Sequence, residues 1–328
     1  MDRNPRADWL KAAAIFGVVF IHAPGPPGDY TTAFRYCVPV FVALWAYYFD
    51  QGLTRRAGVE RGRYVRSRFV RLFVPYIVWT VIYLPVYYPL AALPDIPLRS
   101  LIADAVAGDG WAGQFFFIIL FQLLFVVALV SRFVGRAVVW ASLLAGLVGY
   151  PLALAFWDVP AVSIFRERLF VYWWPYAALG VGLARGYLPR IPIGLALPVA
   201  VVALVGAPFE FQFVTARVPQ APAYLLVSVY IGSVALAWAA LWGSPPSDGP
   251  GNQSGLGRAS GYVGQHTFPV YLTNPLLVGL FAAALPADLL APPGGYAVRA
   301  VVTLAAIGGG LVIGWAFRRF GMGKLVGE

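Results

Sequence analysis

Cysteine occurs once in the 328 residues, at Cys37, so neither an intramolecular disulfide nor a cysteine-rich metal centre is available. A lone Cys37 reads as a small buried hydrophobe. Histidine occurs twice, at His22 and His266, far apart and without a carboxylate cluster, so no metal site is expected. Charged residues are scarce as well, at 12%, about half of what keeps a soluble domain dissolved. That scarcity argues against one large soluble core.

What the chain has instead is apolar sequence, 60% of it, in long unbroken blocks such as Ala12 to Ile21 and Phe115 to Val130. Blocks near 20 residues can cross a hydrocarbon core of roughly 30 Å as helices. The expected fold is therefore all-α: a polytopic membrane protein of about ten transmembrane helices, forming a single domain over 1–328. Pro, Gly and charge divide the blocks into spans near 7–23, 32–53, 69–91, 113–134, 137–157, 168–187, 191–208, 222–242, 262–285 and 296–317. Arg3, Arg6 and Lys11 ahead of the first block imitate a signal peptide. The following residues 22–27 lack a small-x-small cleavage pattern, so the block reads as a retained first span.

The net charge of +10 would suit nucleic acid, but the basic residues gather at the ends of the apolar blocks. With the N-terminus inside, 18 of the 24 Lys+Arg fall on the cytoplasmic side. The other six, Arg35, Arg99, Arg166, Arg168, Arg217 and Arg299, fall outside. Losing one span would invert every later loop and spoil the bias. The expectation is a multi-pass protein of the cell membrane with both termini cytoplasmic, in contact with membrane lipids and not with nucleic acid. Three regions read as non-spanning: a basic run over 54–71 with seven Arg, an outer segment over 94–110 holding Asp95, Asp104 and Asp109, and a Gly/Ser/Pro-rich flexible loop over 244–261. No internal repeat is visible, and no oligomeric state follows from the pattern.

Ionisable groups inside a span are costly and point to function. In the first span Asp8, Lys11 and His22 share a face, with Lys11 and His22 about 16 Å apart along the axis. The plainer readings are a boundary histidine, a snorkelling lysine and a carboxylate at a helix N-terminus. Arg68 and Arg71 open the third span on one face, suiting either a polyanion or lipid headgroups. In the ninth span Tyr271 and Asn274 lie one turn apart between Pro269 and Pro275, a polar pair in what is otherwise a kinked packing helix. His266, near the start of that span, reads as interfacial.

Together these pieces resemble the acyltransferase 3 family of integral membrane acyltransferases. That family opens with an acidic residue and Arg, then has a His after ten further residues. Here Asp8, Lys11 and His22 stand at that spacing, with Lys11 in place of the Arg. Val38-Pro39-Val40-Phe41 is similar to the start of the family's second span, although the usual Ser-Gly is absent and Trp45-Ala46 stands nearby. Arg68, Arg71 and Pro75 match an Arg-x-x-Arg before Pro. Phe115 to Gln122 looks like its aromatic, Gln-containing fourth span, and Tyr176 to Gly182 like its Gly-bearing sixth. Gly264, Thr267, Tyr271 and Leu272 match the ninth-span signature, with Asn274 where it closes on His. The family's ten spans agree with the count above.

The resemblance implies an O-acyltransferase that takes an acyl group, acetyl first to be considered, from cytoplasmic acyl-CoA. The acceptor is a hydroxyl of a glycan or lipid-linked sugar. It implies no bound cofactor; acyl-CoA is a co-substrate. Arg68 and Arg71, with Lys11 nearby, would hold the CoA phosphates. His22 would act as base or as an acyl-carrying nucleophile. Asp8, Gln122, Tyr271 and Asn274 are further site candidates, the last two for the thioester carbonyl or the acceptor. The competing class is a ten-span transporter or flippase of an amphiphile or glycolipid, which often carries inverted repeats. A scaffold or sensor explains the apolar blocks but not the shared face of Asp8, Lys11 and His22.

Overall fold

A chain in hydrocarbon has no water for its N–H and C=O groups, so each apolar block must close its hydrogen bonds within itself. The computed structural model describes residues 4–88, 95–163, 166–242 and 255–327, and among them all regular structure is helical. The α-helices are α1 (Pro5–His22), α2 (Cys37–Thr54), α3 (Gly58–Tyr87), α4 (Leu98–Ala107), α5 (Phe115–Val130), α6 (Arg136–Ala155), α7 (Pro160–Ser163), α8 (Trp174–Ala184), α9 (Ile193–Thr215), α10 (Val227–Leu241), α11 (Gly255–Gln265), α12 (Thr267–Ala284) and α13 (Gly294–Arg319).

Each of the ten apolar blocks carries one helix, namely α1, α2, α3, α5, α6, α8, α9, α10, α12 and α13. Six of these, α3, α5 with the turn that follows it, α6, α9, α12 and α13, are long and apolar enough to cross a membrane. The expected count of about ten is thus matched by length and composition at six. The physical difference is position in the bundle. Helix α2 has 12 of its 18 residues buried and α8 nine of 11, facing protein on most sides. A helix enclosed by others needs neither the length nor the all-round apolar surface of one facing lipid.

Helix α1 is enclosed in this way by α2, α11, α12 and α13, while α2 packs on α8 and α10. Two glycines allow the closest approaches. A Cβ on Gly180 of α8 would stand 2.2 Å from the Ala43 carbonyl oxygen of α2. One on Gly264 of α11 would stand 2.0 Å from the Asp8 carbonyl oxygen of α1. Both obstacles are backbone, which cannot swing aside. Gly264→Ala is therefore expected to push α11 off α1 and lower the melting temperature of the purified protein by several degrees; an unchanged melt would contradict this packing.

Some boundaries differ from expectation for local reasons. The basic run over 54–71, expected as non-spanning, is helical from Gly58 and continuous with the third block in α3. Arginine is a good helix former, so the helix outlasts the apolar pattern. The expected flexible loop over 244–261 is helical from Gly255; Arg3 and residues 243–254 lie outside the described residues. The sixth block is shorter than expected, because two 3-10 turns precede Pro175 in the first turn of α8. The acidic segment expected outside holds α4, which Gly108 closes at φ +78°. There the Arg168 guanidinium donates to Asp109 at 2.6 Å and holds that carboxyl below its ordinary range.

Candidate functional site

The site is built around α1. Asn4 caps the helix, its side chain accepting from Arg6 N at 3.0 Å and Ala7 N at 3.2 Å, and Pro5 follows at the first helical position. One turn on, Asp8 is buried and Lys11 Nζ lies 3.1 Å from its Oδ1, so the face inferred from spacing exists. Lys11 also sits 4.9 Å from the centre of the Tyr48 ring. His22 ends the helix.

Lys11 lines a cavity of about 710 Å³, and so do Arg68 and Arg71. Three cations chosen on sequence grounds therefore meet around one space. Arg55 and Arg56 from the basic run join them, and Glu60 is the single carboxylate among the described residues of the wall. One flank is a ladder of rings: Trp45 on Phe49 at 4.8 Å and 15°, then Phe49 on Tyr64 at 5.6 Å and 22°. Arg56 and Arg68 lie 4.5 Å and 4.9 Å from the Tyr64 ring centre. Flat rings and planar guanidinium groups together suit a ligand with both phosphates and an aromatic base. Arg71 has a second duty, since its Nε donates to the Gly327 carbonyl and ties the C-terminal turn to α3.

His22, Tyr271 and Asn274 meet elsewhere, around a second, much smaller cavity of about 10 Å³. That is room for about one water molecule. His22 lines this cavity, and the residue is exposed. Its imidazole makes no hydrogen bond to a described residue. Tyr271 donates its hydroxyl proton to the Gly113 carbonyl. Asn274 Nδ2 donates to the Tyr271 carbonyl at 2.6 Å, which leaves its buried Oδ1 without a partner.

Aromatic rings in contact divide the two cavities. Phe41 and Phe268 line the larger one and Tyr271 the smaller. Between them Phe116 lies 6.5 Å from Phe41 and 5.6 Å from Tyr271, and Phe117 lies 5.8 Å from Phe268 and 6.1 Å from Tyr271. These rings link the wall of the cation cavity to the wall that His22 shares.

Gln122 lines neither cavity. Its Nε2 donates to the Arg168 carbonyl at 2.9 Å and its Oε1 accepts from Phe170 N at 3.0 Å, so it straps α5 to the turns before α8. His266 is likewise held locally, its Nδ1 lying 2.9 Å from the Tyr262 carbonyl.

Two residues beside the small cavity escape sequence reasoning. Tyr224 lines it, and Arg35 Nη1 donates to the Tyr224 hydroxyl at 3.2 Å. Arg35 otherwise counts as one of six outer cations. Its partner lies 189 residues away, so no spacing signals the pair.

Comparison with known proteins gives one match: a family model described as an acyltransferase domain fits residues 4–319. No curated protein and no solved structure matches the chain.

Proposed function

The chain belongs to the acyltransferase 3 family, and from that membership we propose that it moves an acyl group, acetyl by first choice, from cytoplasmic acyl-CoA to a hydroxyl of a glycan or lipid-linked sugar. The observation that supports this reading most is the meeting of Lys11, Arg68 and Arg71 around one cavity of about 710 Å³, at the end of α1 opposite His22. Five cations against one carboxylate among the described residues favour a polyanion there, and CoA carries several phosphates together with a planar adenine base. Its thin pantetheine arm has the length to run beside α1, past Phe116 and Phe117, and bring a thioester to His22.

In this scheme a neutral His22 takes the proton of the acceptor hydroxyl as its oxygen attacks the thioester carbonyl carbon. The carbonyl electron pair moves to oxygen. Collapse re-forms the carbonyl, breaks the carbon–sulfur bond and expels the CoA thiolate, which recovers the proton from His22. An acyl-imidazole on His22 is the two-step variant, with water or the acceptor as second nucleophile. Asn274 Oδ1, buried and unpartnered, is an acceptor for a substrate N–H or O–H. Ten spans in the cell membrane, both termini cytoplasmic and a single domain over the whole chain complete the proposal. They put the cation cavity on the side where acyl-CoA is made.

Arg68 is the clean test of the CoA site, since its guanidinium caps Tyr64 whereas Arg71 also anchors Gly327. Losing one charge-assisted contact of roughly 1.5–3 kcal/mol corresponds to about 10- to 100-fold in affinity. Arg68→Ala is expected to raise the CoA dissociation constant by that factor, and Arg68→Ala with Arg71→Ala by more, while acceptor binding holds. Calorimetric titration with CoA measures this. Unchanged affinity in the double variant, with a sound fold, would remove the cations from the site and favour the transport of an amphiphile.

A further inference from the structure

We propose that Tyr224 is the oxyanion donor of the transfer and that Arg35 is the positioning residue that turns its proton toward the cavity; this rests on the acyl-transfer reading above. A phenol has one proton to donate and lone pairs to accept with. The Tyr224 oxygen already accepts from Arg35 Nη1 at 3.2 Å, so its proton must point elsewhere. No described residue accepts it. Tyr224 is only 6% exposed, and the space beside it is the small cavity that His22 also lines.

Elimination strengthens the assignment. Of the other polar side chains in that wall, Tyr271 has given its proton to Gly113 and Asn274 one of its two amide hydrogens to the Tyr271 carbonyl. The buried Oδ1 of Asn274 has no partner, and an oxygen there repels an oxyanion. His22 must be free to accept the hydroxyl proton. The Tyr224 O–H, whose proton no described residue accepts, is then a side-chain donor available to the carbonyl oxygen as it gains charge. A donor fixed in place before the reaction stabilises that charge more than water, which must reorient, would.

Arg35 makes the donor stronger as well as aimed. Its guanidinium carbon lies 5.2 Å from the Tyr224 ring centre, and its Nε is buried without a partner. A cation hydrogen-bonded to the phenol oxygen draws electron density from the O–H, and the developing negative charge on the carbonyl oxygen feels the same field. The bookkeeping of the step is unchanged: Tyr224 keeps its proton throughout, sharing it with the oxyanion and taking it back fully when the carbon–sulfur bond breaks.

The test is turnover of acetyl-CoA by purified full-length protein, read as free thiol with time, alongside CoA titration. Tyr224→Phe is nearly isosteric. It is expected to lower kcat about 10²- to 10³-fold, the usual loss of one oxyanion donor, with the CoA dissociation constant within twofold of wild type. Arg35→Met is expected to lower kcat substantially in the wild-type background and not at all when Phe already stands at 224, because Arg35 acts through that hydroxyl. Turnover by Tyr224→Phe within threefold of wild type overturns the proposal. So does an Arg35→Met loss that multiplies with that of Tyr224→Phe, which would mark Arg35 as acting on its own or on the fold. If wild type releases no thiol in a His22-dependent way, the acyl-transfer reading itself fails and this proposal with it. The wild-type trace alone reads that outcome.

Discussion

Arg185→Met is expected to destabilise the fold by roughly 3–5 kcal/mol, the scale on which a buried carboxylate left without its cation penalises a protein. Arg185 follows α8 and grips Asp50 of α2 with two bonds, Nε to Oδ2 at 2.8 Å and Nη2 to Oδ1 at 2.5 Å. Asp50 is wholly buried in a helix whose other inward residues are apolar. The same guanidinium donates through Nη1 to the carbonyls of Ser131 at 2.8 Å and Val134 at 3.0 Å, closing the end of α5. One substitution thus orphans a carboxylate and takes a donor from two carbonyls, of which Ser131's keeps its bond from Val134 N. Thermal unfolding in detergent measures the loss. The double variant Asp50→Leu with Arg185→Met is expected to recover part of it, because no charge is then left buried. A single variant as stable as wild type would show the pair to be dispensable, and with it the clamp that holds α2, α5 and α8 at the basic end.

His22→Ala is the substitution with the largest expected effect on chemistry. General acid–base catalysis contributes about 10²- to 10⁴-fold, and His22 is the imidazole in the small cavity, so turnover should fall by at least that range. Stability should hold, because the ring makes no hydrogen bond to a described residue that its removal would orphan. CoA affinity should hold too, because the cation cavity lies at the other end of α1, about 16 Å along the axis. Labelled acetyl-CoA separates the two roles of His22. Label retained on denatured wild-type protein, lost with His22→Ala, marks an acyl-imidazole; release without retained label marks a general base.

How much of this was legible varies with the kind of interaction. A helical membrane chain follows from the apolar blocks, although six of the ten helices they carry are long and apolar enough to cross a membrane. Their ends were less legible: α3 runs back to Gly58 because arginine prolongs a helix that hydropathy would stop. On α1 the 3.6-residue period sufficed to pair Asp8 with Lys11. It did not show that Lys11 and His22 open into different cavities, since the rings between them come from α2, α5 and α12. Gln122 stood out as a polar residue in an aromatic block, and the structure gives both ends of its amide to backbone groups. Arg35 and Tyr224 carried no local signal at all. Their pairing exists only once the turn before α2 and the turn before α10 have packed together.

The account joins a cation-lined cavity to a histidine through a layer of aromatic rings, and its central claim is that one acyl-CoA molecule uses both. Acetyl-CoA binding and thiol release, measured together on purified wild type, Arg68→Ala and His22→Ala, test this most directly. The account predicts that wild type binds and releases, that Arg68→Ala releases at a rate restored by higher acetyl-CoA, and that His22→Ala binds normally and releases almost nothing. A wild type that binds no acyl-CoA, or a His22→Ala variant that releases thiol at the wild-type rate, would contradict it.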